Sequence, residues 1–257
     1  MRVVFIGAGN LATRLSLAMG KAGIEILQVY SHTEAHAKEL ADKLSCSWTT
    51  QEGSITDEAD LYIFSLKDDA LPHVIAHIKP NKALWVHTAG SVPMNIFEGY
   101  AERFGVIYPL QTFSKGREVD FQQIPFFVEA NSPADEEVLW NVAITLSNDV
   151  CVLSSEKRKS LHLAAVFACN FTNHMYHLAG NLLEEQGIPQ TVLLPLIDET
   201  AAKVHDLSPA KAQTGPAIRY DKGVIGRHLN MIDDSSLRHI YEILSQSIHT
   251  YTQHEQH

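Results

Sequence analysis

Cysteine is scarce. Three residues, Cys46, Cys151 and Cys169, lie far apart in a chain of 257, with no CxxC pair among them. An odd count at that spacing excludes a disulfide framework and a thiolate zinc site, and it fits a reducing compartment, the cytoplasm. Basic charge is also in short supply. Twenty lysines and arginines face thirty acids, a formal charge of -10. With no basic run, the chain is ill-suited to nucleic acid or an anionic membrane, although net charge leaves a local basic pocket open. Long apolar runs are missing too. No segment reaches the roughly 18 apolar residues of a membrane span, and VVFIGAG after Arg2 is too short for a secretory signal. Linkers rich in Ser, Gly or Pro and internal repeats are likewise absent.

What is present is a globular composition, 45% apolar and 19% charged. The length allows one large domain or two modest ones at roughly 100–200 residues each. Val3–Ile6, Ile26–Tyr30, Leu61–Phe64, Leu84–Val86 and Val106–Tyr108 read as strands, with helical patterns such as Leu11–Lys21 and Ala35–Lys43 between them. That rhythm predicts a parallel sheet with helices on both faces. Weaker strands at Phe126–Glu129 and Val150–Leu153 flank a helix at Ala134–Leu146. From Ser155 the pattern is helical only: one long helix to Glu185, then Thr191–His205, Val224–Met231 and Leu237–Thr250. The expected organisation is an α/β domain at 1–153 and an all-α domain at 154–257.

The strongest motif is GAGNLA, Gly7 to Ala12, placed between the first strand and its helix. Gly7 permits the tight turn, Gly9 lets backbone approach a diphosphate, and Ala12 lets helix and strand pack closely. The helix start at Asn10 and Leu11 offers free N–H groups to phosphate. A dinucleotide is therefore the expected ligand. At the end of the second strand, Ser31, His32 and Thr33 stand where a preference for NAD would put an acid. All three can donate to a 2′-phosphate, so NADP is expected over NAD. The bland alternative is that Thr33 only caps the next helix.

Strand ends beyond the sheet carry a polar rim: Ser65-Leu66-Lys67, His87-Thr88-Ala89-Gly90, and Gln111-Thr112. Leu66, Lys67 and Thr88 are cofactor-side candidates, and Gln111 can orient a carbonyl or imine. Of this rim, His87 is an imidazole that titrates near neutrality in its ordinary state. On the long helix, His162, Asn170, Asn173 and His177 fall within roughly an 80° arc at 100° per residue. His162 is the preferred proton donor, with Asn170 and Gln111 orienting the substrate. His174 and His177 have helical metal-ligand spacing but no third ligand, and the tail YTQHEQH reads as a polar terminus; no metal site is expected.

GAGNLA, VYSHT, ADLYIFSLKDDAL, VHTAGS, YPLQTFS, HLAAVFACNF and QTGPAIRYDKGVIGRHL occur in that order. Together they resemble the Rossmann-like proteins whose helical C-terminal domain is of unknown function. More distantly the chain is similar to pyrroline-5-carboxylate reductase, ketopantoate reductase and deazaflavin-dependent NADP reductase. The resemblance implies a nicotinamide oxidoreductase, a homodimer through the helical domain, and Thr214 and Arg219 as substrate contacts. Arg219 suits a carboxylate; its alternative is a loop ion pair with Asp221. Two positions depart from the pattern: His32 replaces an arginine and Lys67 a proline. The expected function is an NADP-dependent reductase of a small carbonyl or imine. A non-catalytic NADP-binding sensor or scaffold and a deazaflavin hydride partner stay open.

Overall fold

Strand β1 (Arg2–Ile6) buries four of its five residues, because Val3 and Phe5 point to one face and Val4 and Ile6 to the other. Such unbroken apolar strands suit a sheet covered on both sides. The remaining strands are β2 (Glu25–Tyr30), β3 (Ser47–Thr49), β4 (Leu61–Phe64), β5 (Leu84–His87), β6 (Phe104–Pro109), β7 (Phe126–Ala130) and β8 (Val150–Val152). They form one eight-stranded sheet in the order β3-β2-β1-β4-β5-β6-β7-β8. All pairings are parallel except β6 with β7. The sequence signals missed β3, a stretch of only three residues, and did not anticipate the reversal at β7.

Helices α1 (Asn10–Lys21), α2 (Glu34–Leu44), α3 (Leu71–His77) and α4 (Pro133–Ile144) connect the strands. One face carries a core of Phe5, Leu15, Met19, Leu40, Ile63, Val86, Ile107, Phe126 and Leu139. The opposite face carries Tyr62, Phe64, Trp85, Phe97 and Phe104, with Leu71 and Ile75 of α3 packed on them. Helix α4 starts as its sequence predicts: Pro133 sits in the first turn and the Ser132 hydroxyl accepts the Asp135 N–H at 3.1 Å.

The computed structural model describes residues 1–254. They divide into two compact units, Met1–Cys169 and a second from Asn170 onward. The first unit includes the helix that follows the last strand. Its final helix, α5 (Ser155–Ala165), is bonded to the sheet through Ser155 and Arg158. Residues Val166–Phe171 are wound as a π-helix before α6 (Thr172–Glu184) continues. The long helix expected from Ser155 to Glu185 is therefore interrupted.

The second unit also holds α7 (Leu194–Asp206), α8 (Pro209–Ala212), α9 (Lys222–Asn230) and α10 (Ser235–His254). Gln190 joins its own segment to α6 by donating to the Tyr176 carbonyl at 3.3 Å. Tyr241 of α10 is hydrogen-bonded to His228 of α9 at 2.8 Å. No strand occurs there among the described residues, and no helix is long and apolar enough to cross a membrane. The end of the histidine tail, 255–257, lies outside the described residues.

Candidate functional site

The turn after β1 is built around Gly7. Its φ is +121°, and a Cβ there would stand 2.2 Å from the Ser65 carbonyl oxygen, so conformation and space both require glycine. Its N–H donates to the Tyr30 carbonyl at 2.8 Å, which ties the end of β1 to the end of β2. Leu66 packs at the same turn. Gly9 is the N-cap of α1, no side chain caps the helix, and its first turn holds no acid. A Cβ on Gly9 would meet nothing within 4 Å. Asn10 is exposed, Leu11 half-buried and Ala12 fully buried. An uncapped N-terminus behind an open glycine is a donor set that fits a diphosphate.

At the end of β2, Ser31 is buried and its hydroxyl accepts the Thr33 N–H at 3.3 Å. His32 is exposed and Thr33 half-buried. The Thr33 side chain makes no capping bond to α2, so the capping role weighed for it is not seen. Lys67 is exposed beyond β4. Thr88 is buried beside it in the sheet order, its hydroxyl donating to Ser65 Oγ at 3.3 Å.

His162 lies against β6. Its Nδ1 is 3.1 Å from the Tyr108 hydroxyl. A Cβ on Gly90 would sit 2.5 Å from that same Nδ1, so the absent side chain makes the room that the ring occupies. Burial pushes the Tyr108 phenol up, against an opposing influence from Arg158. Helix α5 is held in register by Arg158, four residues before His162 and hence on the same helical face. Arg158 is fully buried; it donates to Glu129 Oε2 at 2.6 Å and to the Val92 carbonyl at 2.6 Å. Ser155 completes the anchor, donating through Oγ to Glu129 at 2.7 Å and accepting the Met94 N–H at 3.1 Å. Sequence reasoning missed Arg158, Glu129 and Tyr108. Nothing in the sequence sets Arg158 apart from its neighbours Lys157 and Lys159; only the fold shows that it is the one turned inward.

His87 is corrected by the structure. It is fully buried, its Nδ1 accepts the Ala89 N–H at 3.1 Å, and its Nε2 faces the Pro93 carbonyl at 3.4 Å. Burial, aided by the Arg158 charge, pushes its pKa down to about 3. It is a neutral structural imidazole, not a neutral-range acid or base.

Gln111 is exposed; its Oε1 accepts the Thr112 N–H at 2.8 Å. The loop that carries it is pinned by Arg14, which donates to the Ser114 carbonyl at 3.1 Å and the Lys115 carbonyl at 2.6 Å. Asn170 is exposed and opens the second unit. The arc expected to join His162, Asn170, Asn173 and His177 assumed an α-helix throughout. The π-wound turn Val166–Phe171 advances each residue by less than 100°, so that common face does not carry through. His174 and His177 have ring centroids 6.1 Å apart. Thr214 and Arg219 are exposed in the second unit. Asp221 caps α9 by accepting the Val224 N–H at 3.1 Å, and among the described residues Arg219 forms no ion pair with it.

Comparison with known proteins agrees with this architecture. Residues 2–87 match the family model described as NADP oxidoreductase, coenzyme F420-dependent. Residues 124–248 match a domain of unknown function, DUF2520. The pyrroline-5-carboxylate reductase of Methanosarcina acetivorans is 29% identical over 103 residues, and the match spans only 38% of this chain and 38% of that protein. BF3122 from Bacteroides fragilis, provisionally named an NADP oxidoreductase, has a crystal structure that is 56% identical, with a TM-score of 0.92 over 97% of this chain and 98% of that one. An imine reductase from Myxococcus stipitatus in complex with NADP+ shares the fold at 16% identity, with a TM-score of 0.63 over 99% of this chain and 93% of that one. The chain belongs to the NADP oxidoreductase family of Rossmann-fold proteins that carry a DUF2520 domain after the dinucleotide-binding sheet.

Proposed function

We propose that this protein is an NADP-dependent reductase of a small carbonyl or imine, with His162 as its proton donor. The observation that carries the reading is the His162 ring seated over Gly90 with Nδ1 on the Tyr108 hydroxyl. The nicotinamide cofactor, when bound, supplies the hydride. Gly7, Gly9, Asn10 and Leu11 hold its diphosphate, Ser31, His32 and Thr33 hold the 2′-phosphate, and Leu66, Lys67 and Thr88 border it. Lack of an acid among Ser31, His32 and Thr33 supports NADP over NAD.

The proton chemistry uses the Tyr108 hydroxyl as a steady acceptor for one ring nitrogen of His162. A phenol O–H can donate or accept. When His162 is protonated, Nδ1–H donates to the Tyr108 oxygen and Nε2 carries the transferable proton. Once that proton has passed to the substrate nitrogen or oxygen, Nδ1 keeps its own hydrogen and goes on donating to the Tyr108 oxygen, while Nε2 holds the lone pair that takes up the next proton. The imidazole thus keeps its partner in both states. Gln111 and Asn170 orient the reducible group, and Thr214 and Arg219 bind the substrate, Arg219 a carboxylate. The two units act as cofactor and substrate domains. The protein works as a homodimer through its helical part, a reading supported by α6 and α7, which bury no side chain.

The test is oxidation of NADPH by the full chain against cyclic imines, keto acids and an oxidised deazaflavin. Turnover with a carbonyl or imine is expected. Cofactor binding without turnover on any member would favour the non-catalytic sensor.

A further inference from the structure

Glu52 lies in the short turn Glu52–Ser54 after β3, and His73 and His77 lie on α3. Each offers a ligand atom, and these atoms are within 4.8 Å of one another. His73 Nε2 stands 3.9 Å from Glu52 Oε1, and His77 Nδ1 stands 4.0 Å from Glu52 Oε2. The two histidines are four residues apart, so their rings share a helix face, with centroids 4.3 Å apart. None of the three belongs to the proposed reductase chemistry.

We propose that Glu52, His73 and His77 bind a divalent first-row transition metal of the zinc class, with water completing its coordination. Two imidazoles and a carboxylate suit zinc, nickel or copper, whereas magnesium and calcium favour all-oxygen sets. Ligand atoms around tetrahedral zinc at 2.0–2.1 Å are about 3.3–3.4 Å apart. The His73–Glu52 separation exceeds that by about half an ångström, which rotation of an exposed ring closes. The His73 and His77 side chains are 69% and 52% exposed, so solvent can supply the open positions.

The surrounding hydrogen bonds favour ligation over a chance meeting. Metal-bound carboxylates and imidazoles are usually oriented by a second ring of partners. Here the Tyr30 hydroxyl donates to Glu52 Oε1 at 3.1 Å. His77 Nδ1, the ring nitrogen that faces Glu52, also lies 2.7 Å from the His73 carbonyl, and it would exchange that backbone contact for the metal. A bound ion would tie the segment after β3 to α3.

The experiment titrates Zn2+ into the metal-stripped full chain against a chromophoric chelator, in a background where His254→Gln and His257→Gln silence the tail. One saturable equivalent is expected, together with a rise in Tm that Mg2+ does not reproduce. The exposed double variant His73→Ala, His77→Ala should lose that equivalent while keeping its circular dichroism. Tyr30→Phe should weaken it about 10-fold. Glu52→Gln gives an independent readout of ligand loss. No saturable equivalent, or one that survives both the double variant and Glu52→Gln, overturns the proposal.

Discussion

Phe5, Phe64 and Trp85 of the first unit are wholly buried, whereas Leu194, Leu196 and Val204 of the second are 50% or more exposed. The contrast is general. Beyond Cys169, only Ala217 and Ile232 are buried apolar residues among those described. The first unit closes its own core by covering both faces of a sheet. The second presents helices whose apolar stripes lack cover from their own neighbours, as expected of a surface made to be covered in an assembly. The proposed cofactor chemistry thus falls on the unit with the closed core, and the proposed partner contacts on the one with exposed apolar side chains.

If the unit with the closed core carries the chemistry, its seated imidazole should matter most. His162→Ala is expected to lower kcat by about 10²–10⁴-fold with cofactor affinity unchanged. Unchanged turnover in steady-state kinetics would remove His162 from the mechanism. The anchor beneath it comes next. Arg158→Met leaves the half-buried Glu129 without its cation and should cost about 3 kcal/mol in denaturant unfolding; a stability equal to wild type would show that the pair is not needed to hold α5.

The second unit gives the complementary test. Leu194→Glu with Leu196→Glu should weaken self-association by at least about 100-fold, read by light scattering across concentration. A wild-type chain that is monomeric at every concentration would break the comparison. The smallest effect is on acid stability. His87 has a folded value of about 3, below its ordinary 6.5, so the unfolded chain binds the extra proton between those values. Stability should therefore fall as pH drops below about 6.5, with a slope approaching ~1.4 kcal/mol per pH unit. His87→Gln should flatten that slope, and an unchanged slope would assign the acid sensitivity elsewhere.

The same contrast explains what the sequence disclosed. Runs such as VVFI and LYIF mark buried strands without knowledge of their neighbours, and GAGNLA marks its own turn. β3 is too short to show a period, and α3 is only seven residues long with Pro72 in its first turn. The Tyr108–His162 and Glu129–Arg158 pairs join residues 54 and 29 positions apart, so no local pattern announces them. The shared polar face drawn from His162 to His177 failed at Val166–Phe171, because a π-turn changes the phase without an obvious change in composition. His87 shows the converse: its residue type was legible, but burial reverses its chemistry.

The central claim is that the turn at Gly7–Leu11 binds a nicotinamide dinucleotide with a 2′-phosphate. Calorimetric titration of the full chain with NADPH and NADH measures this directly. NADPH should bind at least about 10-fold more tightly, consistent with charge-assisted bonds to the added phosphate. Tighter binding of NADH would contradict the 2′-phosphate assignment, and heat from neither ligand at millimolar concentration would contradict the claim itself.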